Sequence, residues 1–252
     1  MNKKLIIGNW KMNPVNAVEA KHIAEKVRLA SSKLKNTETV ICPPLIYISL
    51  CKVKGESKNC SLGAQTVSRD VEGAHTGEVG INMLKDLGVE YVIVGHSEER
   101  ERGDTDEIIS KKINIILDAG LIPVICVGEK VRDADGGHYE YLKQQIKGGF
   151  ANVSKKHAKN VVLAYEPVWA IGAIEAMAPD QICETVLFIR KVFADIFENT
   201  LAMKTKIIYG GSVNTNNAGD IMITGKVDGL LLGRLSVNVV GFTELLKFVD
   251  SI

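Results

Sequence analysis

The sequence predicts an α/β protein folded as a (βα)8 barrel, eight parallel strands ringed by helices, in a single domain over residues 1–252. Three observations lead there. Eight short apolar runs recur along the chain, and most are continuous rather than alternating, as strands covered on both faces must be. Between them lie amphipathic segments whose apolar positions recur at three- and four-residue steps, the pattern of helices with one buried face. No linker or low-complexity tract divides the chain, and no G-x-G-x-x-G fingerprint marks a first turn of the kind an open doubly wound sheet would carry.

The runs can be taken in order. KLIIGNW (4–10) opens the chain and leads into AVEAKHIAEKVRLASSKLK (17–35), a helix by periodicity. ETVICPP (38–44), CSLGAQ (60–65) and EYVIVGH (90–96) are the second to fourth strands, and TDEIISKKINIILDAG (105–120) is the helix that follows them. LIPVICVGE (121–129) and NVVLAYEP (160–167) are the fifth and sixth strands. After a long loop, APDQICETVLFIRKVFADIF (178–197) starts as a helix should, with proline in its first turn and an acid behind it. TKIIYGG (205–211) and VDGLLLG (227–233) complete the eight.

Composition narrows the function class. A formal net charge of +1 without blocks of like charge gives no reason to expect nucleic acid or an anionic membrane as partner. No apolar run approaches the roughly 20 residues of a membrane span, and the N-terminal run is too short for a signal-peptide core. Five cysteines, an odd number without C-x-x-C spacing, suit reduced thiols in a cytoplasm better than disulfides or zinc. The histidines are scattered, so no metal site is expected.

Polar residues cluster just after the strands: Asn9 and Lys11 in GNWKMN, His96, Ser97 and Glu98 in GHSEE, Glu166 in AYEP, and glycine turns in YGGS and LLGR. Taken singly, each has an ordinary reading: Lys11 as a solvated cation, His96 as a hydrogen-bonded core residue, Glu98 as a first-turn acid, the glycines as turns. Glu166 is hardest to dismiss, because a carboxylate at a buried strand end costs free energy unless it is used. In a barrel all C-terminal strand ends meet at one face, so these distant residues would share a site. A carboxylate can shuttle a proton between adjacent carbons of an α-hydroxyketone. His96 and Asn9 can donate to the developing oxyanion, and Lys11 supplies charge for enediolate and phosphate.

With the motifs GNWKMN, GAHTGE, VGHSE, CVGE, AYEPVWAIG, YGGSV and DGLLLG in this order and spacing, the chain resembles the triosephosphate isomerase family over its whole length. The resemblance implies a cofactor-independent, homodimeric TIM barrel that interconverts dihydroxyacetone phosphate and glyceraldehyde 3-phosphate. It makes Glu166 the base and His96 the electrophile, a pairing for which this family is the standard illustration. Lys11 and Asn9 become substrate binders. Gly172, Ser212, Gly233 and Arg234 match the phosphate-gripping loops, whose backbone N–H groups a helix N-terminus after the eighth strand would reinforce. Glu98 becomes the partner of Lys11, Ile171 and Leu231 apolar clamps on Glu166, and Tyr209 a supporting residue. Residues matching 167–177 form a lid that excludes water, which explains why the loop after Glu166 is so apolar. His75, Thr76, Gly77 and Glu78 match the loop that enters the neighbouring subunit, with His75 where Phe or Tyr is usual.

Four departures bear on substrate. The lid reads AIGAIEAM where AIGTGKTA is usual, losing a hydroxyl and a glycine and placing Glu175 at a lysine position. GRLS replaces GGAS, and if that site demands positive φ, Arg234 carries strain of ~1 kcal/mol. Glu99 occupies an expected arginine position in a slightly shorter GHSEERERGDTDE run. GRLSVNVVGF (233–242) is similar to a sister branch that isomerises tetrulose phosphates. The expected activity is triosephosphate isomerase. The alternative is a paralogue acting on L-erythrulose 1-phosphate in erythritol breakdown, and an inactive phosphate-binding barrel is a third class that the retained Asn9, Lys11, His96 and Glu166 argue against.

Overall fold

A computed structural model of the chain describes residues 3–52, 59–133, 135–173 and 176–252. Its centre is a closed barrel of parallel strands: β1 (Lys4–Asn9), β2 (Thr37–Cys42), β3 (Cys60–Ala64), β4 (Val89–Val94), β5 (Ile122–Val127), β6 (Val162–Tyr165), β7 (Lys206–Tyr209) and β8 (Gly229–Leu232). Each strand pairs with its successor, and β8 closes on β1 with Leu5 opposite Gly229 and Ile7 opposite Leu231. Each expected run thus becomes a strand with trimmed ends, except that β2 and β4 begin one residue earlier than their runs.

The continuous apolar runs have a direct cause. Leu5, Ile7, Val40, Ile93, Val124, Ala164, Ile208 and Leu231 fill the barrel interior. The alternate residues Ile6, Ile41, Val92, Ile125, Leu163, Ile207 and Leu230 pack outward against helices. Both faces of each strand are therefore dry, and each fully buried aliphatic side chain contributes about 1.5–3 kcal/mol. Cys42 and Cys126 sit inside the barrel as small apolar fillers; burial pushes both thiols far above their ordinary range.

Among the described residues the helices are α1 (Ala17–Ser31), α2 (Leu45–Cys51), α3 (Ile81–Asp86), α4 (Ser97–Glu101), α5 (Asp106–Asp118), α6 (Gly137–Gly149), α7 (Pro179–Ile196), α8 (Asn199–Lys204), α9 (Ala218–Ile223) and α10 (Val239–Ser251). Their starts follow the local chemistry. Asn16 caps α1 by accepting from Glu19 N–H at 2.8 Å, and Thr105 caps α5 by accepting from Ile108 N–H. Pro179 occupies the first turn of α7 with Asp180 behind it, and Ile182, Val186, Ile189 and Phe193 form its buried stripe. The first helix ends at Ser31, four residues before the expected Lys35. Leu34 is buried by a turn bonded to Ser31 O instead, because the chain must reverse to enter β2. No helix among the described residues is long and apolar enough to cross a membrane.

Candidate active site

Because all the strands run parallel, their C-terminal ends open on one face, and a cavity of about 520 Å³ lies there. Asn9, Lys11, His96, Glu166, Leu231 and Gly233 line it, brought together from the ends of β1, β4, β6 and β8. Of the residues gathered from the sequence by strand-end position, Asn9, Lys11, His96, Glu166 and the glycines of YGGS and LLGR share this pocket, whereas Ser97 and Glu98 do not line it.

The β1 end is held by two amides. Asn9, 6% exposed, accepts the Lys11 backbone N–H on Oδ1 at 3.0 Å. Gln65, one residue past β3, donates from Nε2 to the Lys11 carbonyl at 2.8 Å and to the Cys42 carbonyl at 2.9 Å. These bonds offset an unfavourable backbone: Lys11 has φ of 53°, a left-handed conformation that costs a residue with a Cβ about 1–2 kcal/mol. The geometry aims the lysine into the mouth, where its Nζ meets Glu98 Oε1 at 2.5 Å. Partial burial by itself would raise the Glu98 carboxyl, but the Lys11 hydrogen bond and charge more than reverse this and hold it below the usual carboxylate range.

His96 follows β4 and caps α4. Its Nδ1 accepts the Glu98 backbone N–H at 3.2 Å, which assigns the ring hydrogen to Nε2. Nε2 faces Glu166 Oε1 at 3.7 Å, and both side chains are more than nine-tenths buried. The Glu166 backbone continues the β6 ladder by donating to Val127 O at 2.8 Å. A Cβ on Gly210 would lie 2.8 Å from Glu166 Cγ and 2.9 Å from Oε1, so only glycine leaves the carboxylate its space. Glu166 Oε2 is buried without a hydrogen-bond partner among the described residues. An unsatisfied buried acceptor costs about 1–3 kcal/mol.

At the other end of the pocket lie Gly172, Ser212, Gly233 and Arg234. Gly172 has φ of 73°, which a larger residue would resist. The Ser212 hydroxyl lies 3.0 Å from Ala170 O and 2.7 Å from Ala173 O, so it ties the YGGS turn to the loop after Glu166. After β8 the chain forms a single 3-10 turn, Arg234–Val237, rather than an α-helical start, and Ser236 closes it onto Gly233 O by its N–H and its hydroxyl. The strain expected at Arg234 does not arise. Its φ is not positive, because the unusual backbone angles of this corner (φ −89°, ψ −106°) fall on Gly233, which tolerates them.

Ile171 and Leu231 line the same cavity as Glu166. Tyr209 does not line the cavity; it is fully buried with its hydroxyl under Gly211 and without a hydrogen-bond partner among the described residues, and burial pushes its phenol up to about 12. The 75–78 loop is outside the pocket. His75, Thr76, Gly77 and Glu78 are exposed, and the His75 ring folds back over Gly73 toward Asp70 at 3.6 Å. Ile174 and Glu175, the most altered positions of the lid sequence, lie outside the described residues.

Sequence reasoning missed Gln65 although it ends the third run, because an amide at a strand end was not weighed with the charged groups. It also missed Asn214 and Asn238 on the rim and the role of Ser236. Among the described residues no group of three or more His, Cys, Asp or Glu is arranged to hold a metal.

Comparison with known proteins agrees with this geometry. The family model described as triosephosphate isomerase matches residues 4–249. A protein of Endomicrobium trichonymphae named triosephosphate isomerase is 40% identical, covering 98% of this chain and 99% of its own length. Proteins of the same name from Fusobacterium nucleatum subsp. nucleatum and Carboxydothermus hydrogenoformans are 40% and 39% identical, with 98% of this chain and 99% of each of theirs covered.

Proposed function

We propose that this chain, which belongs to the triosephosphate isomerase family, interconverts dihydroxyacetone phosphate and D-glyceraldehyde 3-phosphate by proton transfer through an enediolate. The observation that carries the reading is the placement of Glu166 Oε1 3.7 Å from His96 Nε2, in one pocket with the Lys11 ammonium. In this reading Glu166 takes a proton from C1 of the ketose, and the electron pair moves into the C1–C2 bond and onto the carbonyl oxygen. His96 donates from Nε2 to that oxygen and takes up the proton of the C1 hydroxyl, Asn9 and Lys11 support the developing charge, and Glu166 returns its proton to C2 as C1 becomes the aldehyde carbon. No electron leaves the substrate, so the step needs no redox partner.

The phosphate sits, on the same reading, at Gly172, Ser212, Gly233 and Arg234, whose backbone N–H groups would hold it. Ile171 and the apolar residues after Glu166 cover it, which keeps water from the enediolate and slows loss of phosphate by elimination. Trp169 at 40% exposure and Met177 at 2% mark the two ends of that cover. A single domain and a cytoplasmic setting belong to the proposal too, the latter supported by five unpaired cysteines, four of them buried.

The substrate is tested by measuring glyceraldehyde 3-phosphate and L-erythrulose 1-phosphate on one preparation. The expected result is a triose kcat/KM at least about 10²-fold higher, since a pocket fitted to three carbons meets an added hydroxymethyl group with both bulk and an unpaired hydroxyl. A tetrulose value about ten times the triose value overturns the substrate and leaves the reaction type standing.

The self-association is tested at Thr76. Exposed in one chain, it belongs to the loop proposed to enter a second copy. Thr76→Arg would force a long cation into that interface without a partner, so monomers with weak activity are expected in sedimentation. An intact, fully active dimer removes this loop from the interface.

A further inference from the structure

Behind Glu166 the molecule holds a second buried carboxylate, Glu129, which the proposed chemistry does not use. It follows β5 and is 1% exposed. Three bonds tie it to the segment that carries Glu166. Its backbone carbonyl accepts from Val168 N–H at 2.9 Å, and its Oε1 accepts from Tyr165 Oη at 3.0 Å and from Trp169 Nε1 at 2.9 Å. Residues 165, 168 and 169 bracket Glu166 on both sides, so the place of the base is set by what Glu129 does. A buried carboxylate in such a seat is stable only with compensating charge. Among the described residues one cation lies within 4 Å of it: Arg132 Nη1, 3.9 Å from Oε1.

Arg132 is itself only 18% exposed and is anchored elsewhere. Its Nη1 donates to Thr185 Oγ1 at 3.2 Å, and its Nη2 lies 3.7 Å from Glu184 Oε2. Both partners are on α7. The Thr185 hydroxyl spends its own hydrogen on Gln181 O, which leaves its oxygen free to accept from the guanidinium. Arg132 therefore spans from the β5 carboxylate to the helix that follows the loop after Glu166.

We propose that Arg132 is a positioning residue for the isomerisation: by compensating Glu129 and fastening it to α7, it holds the Tyr165–Trp169 segment, and with it Glu166, in place. This rests on the assignment of Glu166 as the base. Arg132 reaches no substrate in this scheme. Its loss should therefore move the base and spare the phosphate loops.

The test compares Arg132→Met with Arg132→Lys and Thr185→Val in the full chain. For Arg132→Met, kcat falls about 10-fold or more with KM within about 3-fold, because displacement of a base affects turnover more than binding. Affinity for 2-phosphoglycolate, whose carboxylate mimics the enediolate, falls by a similar factor, while affinity for inorganic phosphate stays within about 2-fold. Trp169 emission shifts in the unliganded protein, and Arg132→Lys restores part of kcat by returning the charge. Parent-like kcat and phosphoglycolate affinity in Arg132→Met overturn the proposal, as does an equal loss of phosphate and phosphoglycolate binding, the sign of general damage. Should Arg132→Met not fold, Thr185→Val decides: a loss of phosphoglycolate affinity of about 3-fold or more supports the tether, and parental affinity overturns it. The parent is assayed first. A parent inactive on triose phosphates undoes the functional reading, and phosphoglycolate binding, read without turnover, still decides the place of Arg132.

Discussion

Glu166→Asp is expected to lower kcat by about 10²-fold or more while the protein stays folded. The carboxylate would retract by one methylene, about 1.5 Å, and a misplacement of that size at a reacting atom carries a penalty of this order. The local packing gives the shorter side chain no way to compensate. Gly210 lies against Glu166 Cγ, Leu231 and Ile171 line the adjoining wall, and the backbone at 166 is bonded into the β5 edge through Val127. Stability should change little, since Oε2 has no partner to lose among the described residues. The check is steady-state kinetics in both directions beside a thermal melt. Turnover within about 3-fold of the parent would remove Glu166 from the proton shuttle.

Lys11→Ala is expected to lower kcat/KM by about 10³-fold or more, with kcat and KM both affected. On the proposed reading one ammonium serves the enediolate and the phosphate, so its loss would weaken ground state and transition state together. The backbone contribution to this result is small. Alanine at φ of 53° carries the same Cβ as lysine, and the Asn9 and Gln65 bonds engage only backbone atoms of residue 11. The carboxyl of Glu98 reports the same change. In the parent it is depressed, so its pairing with Lys11 stabilises the folded state above the unfolded carboxylate value near ~4.3 and is lost as pH falls through the lower folded value. Without Lys11 the largest cause of that depression is gone, and the Glu98 titration followed by NMR moves upward. If KM and kcat both stay within about 3-fold, Lys11 is a surface cation and nothing more.

The barrel and four of the pocket's polar residues were legible in the sequence for one reason, while Ile171, Gly172, Ser212, Leu231 and Arg234, and the phosphate role of Gly233, were reached only through the family resemblance. Strands buried on both faces announce themselves as continuous apolar runs, and the residues directly after such runs must, in a parallel barrel, emerge on one face. Asn9, Lys11, His96 and Glu166 follow from that rule, and the pocket contains all four. The rule went furthest where the strand end was charged or rich in glycine. It passed over Gln65, which has the same position after β3 but no charge to draw notice; the strain conditionally expected at Arg234 from the GRLS departure does not arise, because the unusual backbone angles fall on Gly233.

The sequence by itself determined the strand order, the closed barrel, the strand-end residues and the family, because each is carried by local periodicity or by short motifs in a set order. Only the tertiary structure decided how those residues are held. The left-handed backbone at Lys11 depends on Gln65, 54 positions away, and the seat of Glu166 depends on Gly210 and on the Glu129–Arg132–Thr185 chain. A hydrogen bond or an excluded methyl group between residues so far apart along the chain leaves no periodic trace. It exists only once closure of the barrel has brought the strand ends within a few ångströms of one another.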